Sequence, residues 1–90
     1  MGFGPGSADL SVKQQRKLLD LQQAFQAHQL ERMQSIQQQS FEMQKAYLGD
    51  TPDKQAILDA QKKINEINLK MLEDRLDTRE KMQAILNESQ

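Results

Sequence analysis

Along residues 10–48 the apolar side chains recur at intervals of three and four and fall into two adjacent stripes. One carries Leu18, Leu21, Phe25, Met33, Ile36, Met43 and Tyr47; the other carries Leu19, Leu30, Phe41 and Leu48. Spacing of that kind marks one face of an α-helix. A weak 11-residue repeat runs through the same arm: Asp9, Asp20, Glu31 and Glu42 keep the interval, as do Leu19, Leu30 and Phe41, and Phe25, Ile36 and Tyr47. Eleven residues in three turns is about 3.67 per turn, so the stripe runs nearly straight or drifts slightly right-handed. The acids fall on the opposite side.

A second arm begins with coiled-coil spacing, in which Ile57, Ala60, Ile64, Ile67 and Met71 alternate steps of three and four. The pattern falters at "EDRLDTREK", where Asp74 and Thr78 occupy seam positions, and it resumes shifted at Met82 and Ile85. A flanking row of Leu58, Leu69, Leu72, Leu76 and Leu86 gives this arm a second apolar edge. Asp59 with Lys63, Glu66 with Lys70, and Asp77 with Lys81 have the spacing of surface ion pairs.

Between the arms lies "YLGDTPDKQ", residues 47–55, and neither arm contains glycine or proline. Gly49 is suited to the left-handed conformation that closes a helix, Thr51 to capping the next, and Pro52 to its first position, where no amide is needed. Asp53 would then sit in the first turn, at the positive end of the helix dipole. At the other end of the first arm, Ser11 and Gln14 have the spacing of a capping box, with Asp9 as a competing cap. These signals predict an all-α chain with a helix over 10–48, a turn at 49–51 and a helix over 52–88. Stop and start signals so close together favour an antiparallel helical hairpin, with one long kinked rod as the alternative. The opening "MGFGPGS" reads as an expression remnant, so residues 1–8 stand outside a single hairpin over 9–90.

Composition narrows the function. Hydrophobic residues are 37% and aromatics 4% of the 90, too little for a globular core of ordinary kind at this size. A formal net charge of −1 gives no general attraction to nucleic acid or anionic membrane. There is no cysteine, hence no disulfide, thiolate nucleophile or thiolate metal site. No apolar run reaches the ~20 residues of a transmembrane helix, and a signal peptide's basic start and apolar core are missing. The expected location is the cytoplasm, or outside it after export without a cleaved signal.

Single residues offer little chemistry. His28 is the lone histidine and stands among glutamines, without further ligands at helical spacing, so it reads as a solvated or boundary residue. Glu73, Asp74, Asp77 and Glu80 lack the loop and glycine of a calcium site and read as a solvated helix face. Met33, Met43, Met71 and Met82 read as interface filler. Gln29 and Ser40 fall within the apolar stripe, either as plain helix formers or as hydrogen-bonding groups that fix register across an interface. Nothing assembles a nucleophile, base and orienting group, and no cofactor is implied.

The stretch "TPDKQAILDAQKKINEINLK" resembles the turn and second helix of type III secretion needle and inner-rod subunits. Gln61, Lys63, Ile64, Glu66, Asn68 and Leu69 match that family's pattern, and Ile67 replaces its aromatic residue. The likeness covers about 20 residues and ends where "MLEDRLD" replaces the expected Arg-Asn-Ala-Gln. It implies a small helical hairpin that polymerises and is exported without a cleaved signal.

Two apolar stripes on each helix exceed what one hairpin contact buries, and the excess marks an interface. The function expected is a non-enzymatic interaction or assembly protein. It self-associates as a homo-oligomer or docks another helical protein through Leu18, Leu21, Phe25, Leu30, Met33, Ile36, Phe41, Met43 and Tyr47 of the first arm. Ile57, Ile64, Ile67, Met71, Leu72, Met82 and Ile85 serve the second. In the hairpin Tyr47 would lie near Ile57, by the turn. The alternative is a small chaperone or adaptor that receives another protein's amphipathic helix. Nucleic-acid binding has only Lys62, Lys63 and Lys70 in its favour, beside acids and without stacking aromatics.

Overall fold

The computed structural model describes residues 10–88, so Asp9 and the opening remnant lie outside the described residues. Two helices, α1 (Val12–Tyr47) and α2 (Lys54–Asn87), pack against each other in opposite directions. The chain is a hairpin and not a kinked rod. With 36 and 34 residues, the helices are about 54 and 51 Å long.

The capping box expected at the start of α1 is present. Ser11 is in extended backbone, its hydroxyl accepts from the Gln14 amide at 3.1 Å, and Gln14 Oε1 accepts from the Ser11 amide at 2.9 Å. The turn differs from expectation. Leu48, not Gly49, ends α1 by turning extended (φ −78°, ψ 154°), and Gly49 follows at φ +101°, where an L side chain is strained.

α2 is capped by Asp53 and not by Thr51, so Thr51 and Pro52 both lie in the turn, before the helix. Two bonds explain the shift. The Asp53 carboxylate accepts from the Ala56 amide at 3.1 Å, a charge-assisted bond that a threonine hydroxyl does not match. The Asp53 amide donates to the Ala46 carbonyl at 2.9 Å, satisfying one of the acceptors left open at the end of α1. One residue thus starts the second helix and finishes the first.

The seam between the helices is defined by half-buried positions. On α1 these are 18, 21, 25, 29, 32, 36, 39, 43 and 46; on α2 they are 57, 60, 64, 67, 71, 74, 78, 82 and 85. Read in opposite directions the two sets of intervals are identical. Each contains one pair of consecutive four-residue steps, 21–25–29 on α1 and 74–78–82 on α2, and the two irregularities fall at the same level. The interruption at "EDRLDTREK" is therefore matched by one in α1, and the 11-residue interval on both sides keeps the helices in step.

This register corrects two expectations for α1. Met33 and Tyr47 are 51% and 57% exposed, and Arg32 and Ala46 hold the seam positions beside them. The four-residue step after Phe25 displaces Met33. Near the turn the Asp53–Ala46 bond ties the backbones together, and the seam there is lined by the small side chains of Ala46, Ala56 and Ala60. Of the three surface ion pairs expected on α2, none closes; Asp59 accepts a hydrogen bond from Gln55 instead.

Little is buried. Among the described residues only Ala60, Ile85 and Gln14 are fully enclosed by neighbours, and no large apolar side chain is. Asp53→Ala should lower stability by about 1 kcal/mol, whereas Thr51→Ala should change it by less than ~0.5 kcal/mol. Urea denaturation of the two variants at one protein concentration checks the pair, and equal losses would return the cap to Thr51.

Candidate functional site

The seam contains a polar layer. Arg32 Nε donates to Asp74 Oδ2 at 3.2 Å, with the two side chains 31% and 26% exposed. Asp74 was expected on a solvated acidic face; the seam spacing turns it inward, and Arg32 supplies the countercharge. Gln29 is half-buried at the same level, and its Nε2 is shut from solvent without a hydrogen-bond partner. The cross-seam bonds expected of Gln29 and Ser40 are not formed in the hairpin. Gln14 makes one instead: its Nε2 donates to the Ile85 carbonyl at 3.0 Å. That carbonyl lies in the last turn of α2, where acceptors lack intrahelical partners, so the capping residue of one helix also satisfies the end of the other. Lys17 and Glu88 add an exposed ion pair at 3.4 Å at the same end.

Outside the seam the hairpin has two unlike faces. In an antiparallel pair, residues immediately after a seam position on either helix lie on one side, and residues immediately before lie on the other. The positions before include Lys17, Asp20, Glu31, Glu42 and Lys45 on α1, and Asp59, Lys63, Glu66, Lys70, Glu73, Asp77 and Lys81 on α2. The positions after carry Leu19, Leu30, Met33 and Tyr47 on α1 and Leu58, Leu72 and Leu86 on α2; the rest are glutamine, asparagine or serine, with Arg75 and Arg79 as the only charges. Phe41, Leu48, Leu69 and Leu76 fall one residue further on, along the outer edge of the same side. One face is charged and the other is apolar.

The apolar face is open to solvent. Leu19, Leu30, Phe41, Leu58 and Leu69 are all between 53% and 63% exposed. Toward the end remote from the turn, Leu18, Leu19, Met82 and Leu86 line a shallow groove of about 590 Å³ edged by Gln15 and Gln22. Phe41 is partly covered by Lys45, whose Nζ stands 5.2 Å from the ring centre and 2.9 Å from Glu42.

The opposite face offers a smaller cleft of about 140 Å³, where His28 meets Asp77 and Lys81 beside the seam residues Phe25, Asp74 and Thr78. His28 is exposed there. Among the described residues no group of three His, Cys, Asp or Glu side chains is placed to hold a metal ion, and no helix is long and apolar enough to cross a membrane. The chemistry available to the surface as a whole is burial of apolar area.

The expected interface residues therefore divide. Leu18, Leu21, Phe25, Ile36 and Met43 meet Ile57, Ile64, Ile67, Met71, Met82 and Ile85 in the seam, whereas Leu30, Met33, Phe41, Tyr47 and Leu72 stand on the open face. Gln14, Arg32 and Asp53 carry cross-helix roles that apolar spacing does not signal, although the capping-box pattern places Gln14 at the helix start. Comparison with known proteins returned no matching family model, curated protein or solved structure.

Replacing Asp74 with leucine leaves Arg32 half-buried without its partner and should cost about 1–2 kcal/mol. The double variant Arg32→Met/Asp74→Leu should regain that loss or exceed the parent, because a half-buried ion pair offsets little more than its own desolvation. A double-mutant cycle by chemical denaturation decides, and a double variant weaker than either single one would contradict the assignment.

Proposed function

We propose that the chain is a non-enzymatic assembly module, a helical hairpin that self-associates through its uncharged apolar face. The observation that carries the reading is an imbalance. Twelve large apolar side chains of the described residues are at least 37% exposed, while none is fully buried between the two helices. A two-helix contact of this size is marginal by itself, and covering the open face supplies the missing burial. The gathering of charge on the other face agrees with it, since a solvated face keeps the assembly soluble and gives it an outside.

The groove bounded by Leu18, Leu19, Met82 and Leu86 supports a second reading, an adaptor or chaperone that seats another protein's amphipathic helix. Light scattering over a concentration series, with circular dichroism on the same samples, separates the two. A discrete oligomer that loses helix on dilution is expected for self-association. A weakly helical monomer at every concentration would transfer the function to the adaptor. Growth without an endpoint would favour the polymerising subunit implied by the resemblance of residues 51–70 to needle proteins.

Leu30→Glu and Leu72→Glu alter side chains outside the hairpin seam. Each should weaken association by about 3 kcal/mol or more per dimer, because both copies carry the substitution and burial of a leucine contributes ~1.5–3 kcal/mol. An unchanged mass at micromolar concentration would count against the apolar face as the site of assembly.

A further inference from the structure

We infer that the occupant of the apolar face is a second copy of this chain, packed about a two-fold axis with the two turns at opposite ends. The inference rests on the self-association proposed above and adds its partner, orientation and register. It comes from the order of the exposed apolar residues along each helix. On α1 the row is symmetric about Leu30: Leu19 and Phe41 lie 11 residues to either side, and Val12 and Leu48 lie 18 to either side. On α2 it is symmetric about Leu72: Leu58 and Leu86 lie 14 residues to either side, with Leu69 three before and Leu76 four after.

The seam register sets Arg32 level with Met71, so Leu30 and Leu72 stand within one residue of the same height, about 1.5 Å. Two centres of symmetry on separate helices therefore coincide. A single two-fold axis through that height serves both rows, lying in the plane of the face and crossing both helices. It lays α1 on α1 and α2 on α2 in antiparallel pairs. Leu30 and Leu72 meet their own copies, Leu19 meets Phe41, and Leu58 meets Leu86.

The other two-fold arrangement, with both turns at the same end, would lay α1 on the second copy's α2 level by level. It sets Phe41 against Lys62 and Leu69 against Gln34, and Val12 overhangs the end. The first arrangement leaves none of these mismatches.

Charge and area favour a second copy over a foreign helix. Near a two-fold axis a charged group faces its own sign, and this face avoids that penalty with Gln22, Gln37, Ser40, Gln44, Asn65 and Asn68 between its leucines. Arg79 is placed by the symmetry against Asn65 of the second copy, not against another arginine. The face is about 50 Å long and about 20 Å wide. It would thus bury about 1,000 Å² per copy, above the ~800 Å² per partner of a standard stable interface.

The chain has no cysteine, so single-cysteine variants of the full chain report the orientation directly. Leu72→Cys and Leu30→Cys, each alone and treated with a short bismaleimide, should form covalent dimers of twice 10.4 kDa. Their yield should be at least tenfold above that of Asp20→Cys on the charged face. A mixture of Leu58→Cys and Leu86→Cys chains should cross-link to each other, and a mixture of Leu19→Cys and Leu86→Cys should not. The reverse pattern would overturn the orientation while leaving self-association standing. Monomeric mass at every concentration, with no product above the Asp20→Cys control, would overturn both.

Discussion

Two helices side by side can bury one stripe each, and every seam residue keeps a flank toward water because no third element covers it. That limit governs this molecule. The seam side chains are half-buried almost throughout, the enclosed ones are an alanine, a single isoleucine and a glutamine, and apolar surface remains on one side. In a bundle of four helices the same side chains would be surrounded. The hairpin has the composition of a partial core whose remainder is supplied by association, which is how sequences with few aromatic residues reach stability at this length.

Within that limit, polar contacts set the register. Leucine, isoleucine and methionine pack acceptably at several offsets along a long antiparallel seam, so apolar burial alone leaves the hairpin free to slide by a turn. Arg32–Asp74 fixes the middle, Gln14 on the Ile85 carbonyl fixes the open end, and the Asp53 amide on the Ala46 carbonyl fixes the turn. A slip would leave each of these groups half-buried and unpaired, at a cost that grows as the site dries. The matched four-residue steps at 21–25–29 and 74–78–82 add a steric reason, since only one offset brings the two irregularities together.

The all-α class, the hairpin and most of the seam were legible in the sequence, because apolar spacing reports directly which side of a helix is covered. The capping box at Ser11 and Gln14 was legible for the same local reason. Other features were not. The cap passed from Thr51 to Asp53 because the choice depends on an acceptor at the end of α1, 7 residues back in the chain at Ala46. Arg32 was invisible as a seam residue because the stripe was followed through apolar letters, and these jump from Phe25 to Met33. Asp74 was visible as a seam position by spacing but read as solvated by its charge. Its partner lies 42 residues away, beyond any local pattern.

The division between the faces joins these levels. A shift of one residue along either helix exchanges the positions before and after each seam residue, and with them the charged face for the uncharged one. The contacts that hold the seam in register therefore also decide which surface is offered to a partner. Arg32 and Asp74 touch nothing on the open face, yet their pairing keeps Leu30 and Leu72 at one height and the two leucine rows on one side. A hairpin slipped by one heptad would keep each helix's row but place the two centres of symmetry about 10 Å apart. No single axis would then serve both. In this reading the buried polar layer matters more for the geometry of assembly than for the stability of the hairpin.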